Sequence, residues 1–96
     1  NFESYKIGEL PLVVDLWATW CGPCKMLGPV ISELAVDYDG KIVVGKCDVE
    51  ENDEIASEFG VRSVPTILFF KGGQLVDKFV GATNKETLDA KFQALL

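Results

Sequence analysis

Ninety-six residues, nearly half of them apolar and a quarter charged, are enough for one packed core and too few for two. Fifteen acidic against nine basic side chains give a formal charge of -6, which repels nucleic acid and anionic bilayers and argues against either as a partner. The apolar runs are strand-length, far below the roughly 20 residues of a membrane-spanning helix, and no charged-then-apolar leader opens the chain; the start at Asn1 without a methionine leaves the compartment open.

In chain order, Phe2 to Gly8 reads as a short helix capped by Asn1. Leu12 to Ala18 is an apolar run broken only by Asp15, as expected of a central strand covered on both faces. Leu27, Val30, Ile31, Leu34 and Tyr38 fall on one helical stripe and predict a helix from the first cysteines to about Tyr38. Ile42 to Val49 reads as a second buried strand, parallel to the first through a right-handed crossover. Asn52 is placed to cap a short helix that Gly60 ends, with Ile55, Ala56 and Phe59 facing inward. Thr66 to Lys71 and Gln74 to Val80 flank Gly72-Gly73, a loop that can take positive φ twice and so close an antiparallel hairpin. Thr83 with Glu86 makes a capping-box pattern before a last helix that buries Leu88, Phe92 and Leu95. The sum is an α/β chain with a mixed sheet.

Three cysteines are too few for a disulfide-stapled fold, and the odd number leaves one over. Cys21 and Cys24 stand three apart, the spacing of a redox pair or of half a metal site. The metal reading lacks two ligands, since the chain has no histidine and only Cys47 besides. The pair sits where the first strand hands over to the long helix, and a helix start offers free N–H groups and the positive end of a dipole, both of which favour a thiolate. Cβ atoms three apart on a helix lie about 5–6 Å from each other, against about 3.5–4.5 Å in a disulfide, so a small adjustment closes the ring. So short a loop removes little entropy from the unfolded chain, and its bond suits exchange better than stapling. Cys21, emerging from the loop, is expected to attack as the thiolate, and Cys24, a turn inside, to attack the resulting mixed disulfide. A structural disulfide is the plainer alternative. Asp15, a carboxylate inside an apolar strand, should have its pKa raised by desolvation and so be able to accept a proton; a buried ion pair without kinetic role is the alternative. Pro65 after Val64 stands at the start of a strand, where a missing N–H is tolerated.

The run Trp17-Ala18-Thr19-Trp20-Cys21-Gly22-Pro23-Cys24-Lys25 resembles the active-site signature of the thioredoxin family. The likeness continues through Asp15, Pro29, Lys46, Val64-Pro65-Thr66 and Val80-Gly81-Ala82, which is nearly the whole chain. It implies one thioredoxin-like domain over residues 1–96, a three-layer sandwich with a mixed central sheet of four strands flanked by helices. The full family fold has five, so the resemblance implies that an N-terminal strand is missing here, and an edge so uncovered would invite strand exchange in an otherwise monomeric protein.

The resemblance also implies a protein-disulfide reductase. Cys21 and Cys24 would carry the exchange, Asp15 would lie beneath the second cysteine and take its proton through water, and Lys46 would tune that acid. The Val64–Pro65 bond would be cis and face the cysteines, the Val64 backbone would pair with an extended substrate strand, and Trp20, Gly22, Pro23, Val49, Gly81 and Ala82 would form an apolar patch around them. Gly-Pro between the cysteines resembles the reducing members, whereas isomerases and oxidases of this fold commonly carry a histidine beside the second cysteine. The partners implied are disulfide-containing proteins and a thioredoxin-reductase-like electron donor. No cofactor or metal is implied, and the compartment expected is the cytoplasm, with the periplasm or export left open. Pro29 should bend the long helix, Trp17 should serve packing, and Cys47 should be a small buried hydrophobe. The rival reading is a partner-binding module or subunit whose dithiol is idle.

Overall fold

The structure, a computed structural model, describes residues 10–60 and 63–96, and of Ala56 the backbone alone. The helix expected over Phe2 to Gly8 and the orientation of the Ala56 side chain lie outside the described residues.

Among the described residues the chain runs β1 (Leu12–Trp17), α1 (Gly22–Asp37), β2 (Val43–Asp48), α2 (Asp53–Glu58), β3 (Thr66–Lys71), β4 (Gln74–Val80) and α3 (Lys85–Leu95). The strands form one sheet in the order β2-β1-β3-β4. β1 is parallel to β2 and antiparallel to β3, and β3 is antiparallel to β4. This order accounts for the compositions. The two central strands, LVVDLW and TILFFK, are buried on both faces almost throughout, whereas QLVDKFV lies at an edge and is mostly exposed. In β4, Val76 is an extra residue, because Phe69 pairs with Asp77 and its neighbour Phe70 with Leu75.

Alternation along the strands divides the core in two. On one face Val13, Ile67 and Phe69 pack against Leu27, Ile31 and Leu34 of α1 and Leu88, Phe92 and Leu95 of α3, with Val44 and Phe79 beside them. Phe92 is the centre of this layer, its ring 5.3 Å from that of Tyr38 and 6.2 Å from that of Phe69. On the other face Leu12, Val14, Leu16, Leu68 and Phe70 pack with Val43, Cys47, Val49 and with Ile55 and Phe59 at α2. Helices on both sides of a mixed sheet make the three layers that the sequence implied.

Local chemistry sets the boundaries of the elements. Gly72 and Gly73 both take positive φ, 63° and 79°, and close the β3–β4 hairpin as their lack of a Cβ allows. α3 begins one residue later than the capping-box pattern suggested: Asn84, not Thr83, is the N-cap, and its side chain accepts the Thr87 N–H at 2.8 Å. Asn52 occupies the N-cap position of α2 without a side-chain cap bond; its amide donates instead to the Asp48 carbonyl at 3.1 Å. Pro29 lies inside α1 and removes the bond to the carbonyl four residues back, while Pro23 stands in the first turn, where its missing N–H costs nothing.

Candidate active site around Cys21 and Cys24

β1 ends at Trp17 and α1 begins at Gly22, so the intervening loop delivers Cys21 to the N-cap position and Cys24 to the first turn. The two are joined as a disulfide with Cα atoms 5.3 Å apart. The Cys21 sulfur also accepts the Cys24 backbone N–H at 3.1 Å, taking the place that a serine or aspartate oxygen holds in an ordinary N-cap. A thiolate at this position gains that donor and the helix dipole together.

Exposure does not separate the two cysteines. Cys21 was expected to stand out from the loop, yet it is 4% exposed and Cys24 5%. The reason is the packing around the closed ring: Ala18 is buried with both cysteines, and Trp17, Val49 and Val64 pack on the cluster. What distinguishes them is position, since Cys21 precedes the helix and Cys24 lies within it.

Asp15 lies in the middle of β1 and is 1% exposed. Its register partners are Lys46 on β2 and Ile67 on β3. Among the described residues its Oδ1 has no hydrogen-bond partner. Burial raises the carboxyl pKa from 3.8 to about 6, against the opposing pull of the Lys46 charge. The Lys46 amine does not bond Asp15; it donates to the Ser32 hydroxyl at 2.8 Å and the Gly28 carbonyl at 3.3 Å on α1. A cavity of about 210 Å³ is lined by Asp15, Cys24, Gly28 and Lys46 together with Trp17 to Thr19 and Lys25, so acid, ammonium and inner cysteine share one space.

Around the pair, Trp20 is 69% exposed, and Gly22, Pro23 and Ala82 are also exposed. Val49, Val64 and Gly81 are half-buried, and Pro65 is buried. The Val64–Pro65 bond is cis, as the resemblance implied. The Gly81 N–H donates to the Pro65 carbonyl at 2.8 Å, which ties the end of β4 to this loop. Cys47 packs on the opposite sheet face, its thiol pKa raised by burial and by the Asp48 carboxylate. The sequence reading missed Thr19, Glu50, Gly28 and Ser32, whose contacts around the site connect residues far apart in the chain.

A disulfide formed across the first turn of a helix, with a buried acid lining the same cavity as its second cysteine, defines a protein of dithiol–disulfide exchange. The thioredoxin family model matches residues 1–94. Relatives include a thioredoxin of Synechocystis sp., 50% identical over 98% of this chain and 88% of its own length, and one of Staphylococcus aureus, 57% identical over 92% of this chain and 84% of its own. Among solved structures, a chain from work on the thiol resolving mechanism in yeast mitochondrial 1-Cys peroxiredoxin via glutathione/thioredoxin systems is similar, with a TM-score of 0.89 and 38% identity over 98% of this chain and 87% of that one. The chain therefore belongs to the thioredoxin family and is a thiol–disulfide oxidoreductase with a Cys21–Cys24 redox pair. Nothing in the site or its relatives favours an idle dithiol. No described helix is long and apolar enough to cross a membrane, and no described cluster of residues could hold a metal ion.

Proposed function

We propose that the chain works in the reducing direction as one domain over residues 1–96, through four residues in distinct roles. The Cys21 thiolate attacks one sulfur of a substrate disulfide, forms a mixed disulfide and releases the other substrate sulfur as a thiolate that takes up a proton. Cys24 gives its proton to Asp15 across the shared cavity and attacks the Cys21 sulfur, so that the Cys21–Cys24 disulfide forms and the second substrate sulfur leaves as a thiolate. The substrate gains two electrons from the dithiol and takes up two protons from water, which balance the one Cys21 gave to water on ionising and the one Asp15 returns to water after taking it from Cys24. Lys46 tunes Asp15 from β2. Trp20, Gly22, Pro23, Val49, Gly81 and Ala82 receive the substrate, whose extended chain pairs with the Val64 backbone, with Pro65 fixing the loop from within. A reductase partner of the thioredoxin-reductase kind returns the electrons. The working form is a monomer of the cytoplasm.

The observation that carries this reading is the shared cavity, which Cys24 and the buried Asp15 line together. Cys24→Ser should trap a mixed disulfide between Cys21 and insulin that a thiol reductant releases, while Cys21→Ser should trap none. Trapping by Cys21→Ser alone would reverse the assigned roles, and equal trapping by both variants would abolish the distinction between them.

A further inference from the structure

Glu50 lies just beyond β2, remote in sequence from the cysteines, yet its carboxylate reaches back to the loop that delivers Cys21. One oxygen, Oε1, accepts both the Thr19 hydroxyl at 2.9 Å and the Thr19 backbone N–H at 3.3 Å. The turn that holds Glu50 is anchored at its own base. The Glu50 N–H donates to Asp48 Oδ1 at 2.9 Å, the Asn52 amide to the Asp48 carbonyl at 3.1 Å, and the Val49 N–H to the Trp17 carbonyl at 2.9 Å.

On the other side, the Cys21 N–H donates to the Ala18 carbonyl at 3.2 Å and closes a turn whose two middle residues are Thr19 and Trp20. Ala18 and Cys21 are buried at the ends of that turn, whereas Thr19 and Trp20 are exposed. Hydrogen bonding, not burial, therefore holds its middle in place, and a carboxylate acceptor makes stronger bonds than a neutral one.

The geometry points to Glu50 as a positioning residue for disulfide exchange: with Thr19 it forms a latch that fixes the turn carrying Trp20 up to Cys21. The role deepens the reductase reading and rests on it. Glu50 acts through Thr19. A turn ordered before the substrate arrives loses less freedom on docking, and it aims the attacking sulfur. Two exposed hydrogen bonds correspond to a rate effect of a few-fold to about tenfold.

The test is the second-order rate constant for reduction of insulin by the pre-reduced protein, with amide exchange of Thr19 measured by NMR in parallel. Glu50→Ala should lower the rate constant about five- to tenfold, and Thr19→Val, which loses the hydroxyl bond alone, about threefold. The double variant should fall no further than Glu50→Ala, because one contact cannot be lost twice. Thr19→Ser should recover what Thr19→Val loses, and Glu50→Gln, which keeps an acceptor oxygen, should fall less than Glu50→Ala. In Glu50→Ala the Thr19 amide should exchange at least about tenfold faster. Faster exchange with every rate constant within about twofold of wild type would make the latch merely structural and overturn the role, as would an additive double variant. Wild-type protein unable to reduce insulin would overturn the reductase reading and this role with it; wild-type activity with unchanged variant rates overturns this role alone.

Discussion

Replacing Asp15 with asparagine should stabilise the fold, and by an amount that depends on pH in a definite sense. The carboxyl is buried with Oδ1 unbonded, and burial moves its pKa from 3.8 to about 6. A folded-state value above the unfolded one means that the native state holds the proton more tightly. Stability is then greatest below the unfolded value and falls as pH rises through the interval up to the folded value. At about 1.36 kcal/mol per tenfold change in proton affinity, the displacement from 3.8 to about 6 amounts to about 3 kcal/mol against the native state once the pH is well above 6. Asparagine has nearly the shape of the protonated acid and does not titrate. The stability difference between variant and wild type should therefore be small near pH 4 and grow to about 3 kcal/mol by about pH 8. Urea unfolding of the oxidised proteins, followed by tryptophan fluorescence at unit steps of pH, reads this directly. A difference that stays flat from acid to neutral pH would refute the reasoning, since the effect would then be one of packing and not of charge.

Lys46→Gln in the same titration should steepen the pH dependence of the otherwise wild-type protein, because it leaves the burial of Asp15 unopposed. In a pH–rate profile for insulin reduction the wild type should show an inflection near 6, and Asp15→Asn should be slowed at neutral pH and lack that inflection; unchanged turnover would restrict Asp15 to a structural role. Asn84→Ala should cost about 1 kcal/mol and Thr83→Ala only a few tenths, which separates the observed cap of α3 from the alternative one residue earlier. Phe92→Ala should cost about 3–5 kcal/mol in urea unfolding, since it removes the ring between Tyr38 and Phe69 and leaves a hole bounded by two helices and the sheet.

The residues whose neighbours are close in sequence were readable from the chain. Gly72-Gly73 between two apolar runs placed the hairpin, with β3 and β4 bounded as expected. The 3.6-residue stripe from Leu27 to Tyr38 placed α1. The cap of α3 was not decided by pattern, because Thr83 and Asn84 are adjacent, both are good caps, and each has a polar residue three positions on; only the backbone geometry chooses between them. The site was readable as a motif but not in its depth. Nothing in the spacing told that closing the ring would bury Cys21 as fully as Cys24, a result of Val49 and Val64 arriving from distant loops. Lys46 was expected near Asp15, and the strand register places it there, yet its bonds to Ser32 and Gly28 depend on how α1 lies over the sheet. Glu50 stands in a run with Asp48 and Glu51, and periodicity gives no sign of which carboxylate turns back toward Thr19.

The extra residue in β4 bears on how copies of this protein behave toward one another. Leu75, Val76 and Val80 give that border an oily exterior, which on a straight ribbon would invite endless stacking. The insertion at Val76 breaks the even spacing of outward amides and carbonyls, and Asp77 and Lys78 follow it with charge. The border at β4 is thereby one that resists growth into fibrils.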